Sequence, residues 1–218
     1  MVGGDLYDFF SVAADRLFFV VADVAGKGVA ASLFMAVSKA LCKSAALRRR
    51  GDVGAIMRDA NDEISRDNRE SLFVSAWAAV LNLRTGELEH VNAGHEPAWL
   101  IPPDGTPARL LEASGGPPLC VVDAFPYEAV PYRMSPGETI CLVTDGVTEA
   151  ENGARRLYGR ERLVAVLSGV GPGAGPKEIG EAIRSDVARF TAATPASDDL
   201  TILIIRWNGD PGGVVSGP

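Results

Sequence analysis

The hydrophobic pattern changes period several times along the chain. From Arg16 to Val24, Leu17, Phe18, Phe19, Val20, Val21 and Ala22 form an almost unbroken apolar run. A run without polar alternation predicts a strand covered on both faces. From Gly28 the spacing becomes helical, and Val29, Leu33, Ala36, Val37, Ala40, Leu41 and Leu47 share one face. Gly51-Asp52 interrupts. Val53, Ile56, Met57, Ala60 and Ile64 then predict a second amphipathic helix, with Asp52 as its N-cap.

Strand signals follow. Leu72 to Leu83 and Leu88 to Asn92 flank a Thr85-Gly86 turn and predict a hairpin. A short strand is expected over Ala98 to Ile101, and an edge strand over Tyr127 to Tyr132. Ser135-Pro136-Gly137-Glu138 has the composition of a type II turn. It leads into a buried strand, Thr139 to Thr144, that ends on Asp145-Gly146. Residues 112–126 are rich in Gly and Pro and read as irregular, and residues 147–159 read as a charged flap. Two helices, Arg160 to Leu167 and Lys177 to Phe190, precede a last buried strand, Leu200 to Arg206. Hairpin-linked strands with helices in pairs predict an α+β fold of antiparallel sheets covered by helices. No linker divides the chain, so one domain is expected over residues 1–207. A disordered Gly/Pro-rich tail is expected over 208–218.

Composition narrows the function classes. A net charge of -7 argues against a nucleic-acid partner. No apolar run approaches the roughly 20 residues that span a bilayer, so no membrane contact is expected of this domain. Cys42, Cys120 and Cys141 are odd in number and widely spaced. They predict free thiols in a reducing cytoplasm rather than disulfides. Trp77 and Trp99 read as core residues, and Trp207 closes the last strand.

The candidate chemistry is acidic. Asp23 and Asp145 end apolar strands, Asp198 precedes one, and Asp5 follows Gly3-Gly4. Were those strands neighbours in one sheet, the carboxylates would meet at its rim. Carboxylates so close repel unless a cation compensates, and Mg²⁺ or Mn²⁺ favours all-oxygen sites. Each aspartate alone also fits a turn cap. Gly26-Lys27-Gly28 is not a phosphate-binding P-loop, because Val21 and Gly28 stand where Gly and Ser/Thr are required.

Five blocks carry a family resemblance: Gly3-Gly4-Asp5-Leu6-Tyr7-Asp8, Asp23 to Gly28 with Ala30-Ala31, Asn92 to Pro97, Thr144 to Ala150, and Asp198 to Thr201. In this order the chain resembles the PPM-type metal-dependent serine/threonine protein phosphatases, in their bacterial SpoIIE/RsbU branch. The resemblance implies a four-layer α-β-β-α sandwich with two Mn²⁺ or Mg²⁺ ions at one end. It implies that Asp23 bridges both ions and that Asp145 and Asp198 bind the first. Asp5 and the backbone carbonyl of Val24 would bind the second. Asp199 is expected to orient its neighbour, and Asp8 and Glu149 to stand behind the ligands. The implied reaction is hydrolysis of phosphoserine or phosphothreonine by a metal-bridging hydroxide. The implied substrate is a phosphorylated STAS-domain antagonist of an anti-sigma factor, in a partner-switching pathway. The alternative is a catalytically weak or inactive binding module of the same fold.

The chain departs from the wider family at Ala25, where a proposed general-acid histidine often stands. It also starts almost at the first metal block. A preceding strand and regulatory linker are expected to be missing, and dimerisation would run through such regions. Lys27 reads either as a contact to substrate phosphate or as a solvated loop residue. His95 reads either as a proton donor or as a turn histidine bonding backbone groups. Arg155, Arg156, Arg160 and Arg162 form a basic patch that would either steer a phosphopeptide or simply be solvated.

Overall fold

A computed structural model describes residues 3–66, 68, 70–111, 115–192, 194 and 198–210. In chain order it has β1 (Asp5–Ala13), β2 (Arg16–Val24), α1 (Val29–Arg49), α2 (Val53–Ser65), β3 (Val74–Asn82) and β4 (Glu87–Ala93). There follow β5 (Trp99–Ile101), β6 (Arg109–Leu110), β7 (Gly115–Gly116), β8 (Val130–Arg133), β9 (Thr139–Val143), α3 (Asp145–Thr148), α4 (Gly159–Gly169), α5 (Pro176–Thr191) and β10 (Ile202–Arg206). One sheet runs β1-β2-β3-β4-β7, with β8 also on β4; the other runs β10-β9-β5-β6. Every pairing is antiparallel except β4 with β7.

Side-chain alternation explains the unbroken apolar runs. In β2, Phe18, Val20, Ala22 and Val24 pack toward α1 and α2, while Phe19 and Val21 face the second sheet. In β9, Ile140 and Leu142 face the first sheet, while Cys141 and Val143 pack toward α4 and α5. Both strands are thus buried on two sides, and the layers stack helix, sheet, sheet, helix. The predicted N-cap is present, with the Ala55 N–H donating to Asp52 Oδ1 at 2.8 Å. The type II turn is present too, with Gly137 at φ 86° and the Glu138 N–H donating to Ser135 O. The tryptophans are buried, and Trp207 Nε1 donates to the Leu83 carbonyl. All three cysteines are free thiols.

Three expectations are corrected. No element is assigned ahead of Arg16 from the hydrophobic pattern, yet residues from Asp5 onward form the edge strand β1. Only one strand covers it, so Tyr7 and Phe9 stay exposed and the burial contrast of a central strand is missing. The face assigned to α1 is largely the outer one. Val29, Leu33, Val37 and Leu47 are exposed, while Ala31, Ser38, Cys42, Ala45 and Ala46 are buried. Small side chains let α1 lie close to α2 and the sheet, so the buried stripe carries little hydrophobic signal. Third, α1 is long and apolar enough to cross a membrane by length and composition, with 21 residues and an 18-residue window of mean hydropathy 1.3. Here it covers one face of a sheet. Of the expected tail, residues 211–218 lie outside the described residues, as do 112–114 of the irregular stretch.

Candidate metal centre

The acids come together, but from two sheets rather than one. Asp5 and Asp23 are direct cross-strand partners at the open end of the β1–β2 pair. Asp23 has the parity of Phe19 and Val21, so its side chain points into the space between the sheets. In the second sheet, Asp145 follows the end of β9 and Asp198 stands before β10. Those ends are adjacent, because Ile202 pairs with Val143 and the Thr144 N–H donates to Thr201 O. A fold that stacks antiparallel pairs therefore delivers both acid pairs to one rim of the sandwich.

Thr144 ties the two halves together. It is fully buried; its hydroxyl donates to Asp5 Oδ2 at 2.7 Å and accepts from the Thr201 N–H at 3.1 Å. One side chain thus fixes a carboxylate of the first sheet to the start of β10 in the second. Thr144 lies inside one of the sequence blocks but shows no distinguishing residue chemistry there. Only the pairing of the two sheets gives it a role.

The backbone around the acids is tight. A Cβ on Gly4 would stand 2.9 Å from Asp23 Oδ1 and 2.9 Å from the Val24 carbonyl oxygen, so these two oxygens flank one small space. A Cβ on Gly146 would overlap the Asp199 carbonyl oxygen at 1.7 Å. Glycine after Asp145 is therefore what lets the segment before β10 approach α3. The Asp199 N–H donates to Asp198 Oδ1 at 2.9 Å and so orients its neighbour's carboxylate.

Electrostatics mark the cluster as short of positive charge. Burial pushes the Asp23 carboxyl up to about 7, and repulsion from Asp5, Asp145 and Asp198 adds to it. Burial raises Asp5 as well, opposed by bonds from Thr201 and Thr144, and it raises Asp145 together with repulsion from Asp198. Asp5 and Asp23 stand opposite each other across the strand pair, so each carboxylate bears on the other's charge. The Lys27 ammonium approaches Asp198 at 2.8 Å. Among the described residues, no three acidic, histidine or cysteine side chains already stand close enough to hold a metal ion. The donor set nevertheless fits hard divalent cations: every donor is an oxygen, and the carboxylates repel one another in a half-buried rim.

Other candidates fall outside the cluster. Asp8 pairs with Lys43 of α1 at 3.4 Å. Glu149 is exposed at the end of α3, where its backbone N–H bonds the Asp145 carbonyl. His95 is buried with Nδ1 3.0 Å from Ser75 Oγ, and burial lowers it to about 4. That places it on a side-chain partner rather than on backbone alone and keeps it neutral. The arginine patch divides: Arg160 grips Glu96 through two bonds, and Arg162 grips Asp186. Arg155 bonds Glu151. Glu96, unremarked in the sequence, faces Asp145 closely enough to raise its carboxyl, and its ion pair fastens the start of α4 to the turn after β4.

Known proteins resemble this chain in sequence and fold. A family model described as stage II sporulation protein E (SpoIIE) matches residues 13–208. Protein IcfG of Synechocystis is 27% identical over 233 aligned positions, covering 95% of this chain and 36% of that protein. The phosphoserine phosphatase RsbU of Bacillus subtilis is 28% identical, covering 75% of this chain and 48% of that protein. The chain thus spans less than half the length of either relative. Among solved structures, the SiaA-PP2C domain of Pseudomonas aeruginosa superposes with a TM-score of 0.82 at 24% identity, over 94% of this chain and 81% of that one. That likeness shows the PP2C fold.

Proposed function

The chain belongs to the SpoIIE family, and from that membership we propose that it is a divalent-metal-dependent phosphoprotein phosphatase acting on phosphoserine or phosphothreonine. The observation that carries the proposal is the meeting of Asp5 and Asp23 with Asp145 and Asp198 across two sheets, in a rim short of positive charge. Asp23, Asp145 and Asp198, with Asp5 and the Val24 carbonyl, would hold two Mn²⁺ or Mg²⁺ ions. When bound, such ions neutralise phosphoryl oxygens and activate water for attack on phosphorus.

The chain's own residues have distinct tasks. The Asp5 carboxylate is held in orientation by Thr144, and that of Asp198 by the Asp199 N–H. Gly146 admits the close approach that keeps Asp145 and Asp198 side by side. Lys27 lies against Asp198 at the exposed mouth, where an ammonium also attracts an incoming phosphate. No histidine serves as proton donor: Ala25 cannot, and His95 is buried against Ser75. The proton for the leaving serine oxygen would then come from water or from another residue of the rim.

The substrate proposed is a phosphorylated STAS-domain protein in a cytoplasmic partner-switching pathway. The relative named phosphoserine phosphatase RsbU supports the phosphoserine part of that reading. The test is phosphate release from a phosphoserine-bearing STAS protein of the same genome, and from p-nitrophenyl phosphate. Release is expected with Mn²⁺ and should vanish in excess chelator. Undiminished release in chelator would contradict the proposal, as would no release under any metal condition.

A further inference from the structure

A groove leaves the acidic rim between the flap and α5. Its walls are apolar: Ala150 from the flap, Val187 and Ala188 from α5, and Leu200 from the approach to β10. Its volume is about 210 Å³, and Asp198 lines its inner end. The groove is thus continuous with the candidate metal centre. It is smaller than the roughly 300–1,000 Å³ of pockets that enclose whole small molecules. A space of that size, open along one side, suits one or two side chains of an extended chain.

Charge narrows the occupant further. Arg184 is exposed at the groove's edge. Glu151, which also lines the groove, is already bonded by Arg155. Asp198 at the inner end is paired with Lys27 at 2.8 Å, so the groove presents the Arg184 guanidinium to an incoming chain in a protein whose net charge is -7. We propose that this groove is a substrate subsite that seats the polypeptide flanking the phosphoserine, taking an apolar side chain on its floor and an acidic one at Arg184. The assignment rests on the phosphatase reading of the neighbouring acids. It adds a specificity element that none of the metal-binding residues supplies, because those residues recognise only the phosphoryl group.

The test uses phosphoserine heptapeptides on an alanine background, each with one leucine or one aspartate at a flanking position. The control substrate is p-nitrophenyl phosphate, which has no flanking chain. Wild type should prefer leucine at one flanking position by roughly tenfold in kcat/KM, the size expected for filling an apolar pocket. Ala188→Trp, which fills the groove from an exposed helix position, should erase that preference and leave p-nitrophenyl phosphate turnover within about twofold. Wild type should also favour aspartate over alanine at a second flanking position, and Arg184→Glu should reverse that preference with the same control unchanged. An unaltered leucine preference in Ala188→Trp, with the control intact, would overturn the groove assignment alone. No turnover of any substrate by the wild type would overturn the phosphatase reading and the groove with it.

Discussion

Asp23→Asn should reduce phosphate release by more than a thousandfold, about 4 kcal/mol of transition-state stabilisation, and should raise the melting temperature of the metal-free protein. Both effects have one origin. The Asp23 carboxyl sits between the sheets, desolvated and facing Asp5, Asp145 and Asp198. That crowding opposes the folded state when no cation is bound, and it is the arrangement that binds cations. An amide of the same shape removes the charge and keeps the packing. Because the group is only about half buried, solvent screens much of the repulsion. The expected gain is about 1 kcal/mol, or roughly 2–4 °C for a domain of this size. Added Mn²⁺ should reverse the order, stabilising wild type far more than the variant. Kinetics on p-nitrophenyl phosphate and thermal melts with and without chelator measure both. A variant retaining activity within tenfold of wild type would remove Asp23 from the chemistry.

Acid should destabilise the fold through His90. This side chain is fully buried and stacked on Trp77 with ring centroids 5.2 Å apart, and neither ring nitrogen has a partner among the described residues. Burial lowers it from 6.5 to about 4. The unfolded chain therefore binds a proton below pH 6.5 that the folded chain refuses. Stability from this residue is full above pH 6.5 and is lost as pH falls through about 4. The loss is about 3 kcal/mol at most. The acidic rim works the other way, since protonating Asp23 relieves its repulsion. A comparison with His90→Phe isolates the histidine. In urea melts the variant should lose about 3 kcal/mol less than wild type between pH 7 and pH 4. Parallel pH profiles would show that His90 carries no such term.

Much of the fold was legible because burial on two faces leaves a strong signal. The runs in β2 and β9 were readable as covered strands, and Asp52 as a cap, from residues a few positions apart. The outer face of α1 was not, because its buried side is alanine, serine and cysteine while its larger apolar residues face out. The acids stood out as charges at the ends of apolar strands. Whether they share one sheet stayed open, since sequence order carries no direct record of which sheet a strand joins. Thr144 and Glu96 are the clearest cases of what remained hidden. Each acts across a sheet or loop contact between residues at least 52 positions apart, Thr144 on Asp5 and Glu96 with Thr148. Neither has a side chain whose chemistry announces that contact.

Calorimetric titration of Mn²⁺ into the chelator-stripped chain tests the metal centre most directly, because it needs neither substrate nor turnover. Wild type should bind about two ions with released heat, and Asp23→Asn, having lost the carboxylate shared between them, should bind neither tightly. No binding by wild type, or an unchanged isotherm in Asp23→Asn, would contradict a metal site built on Asp23.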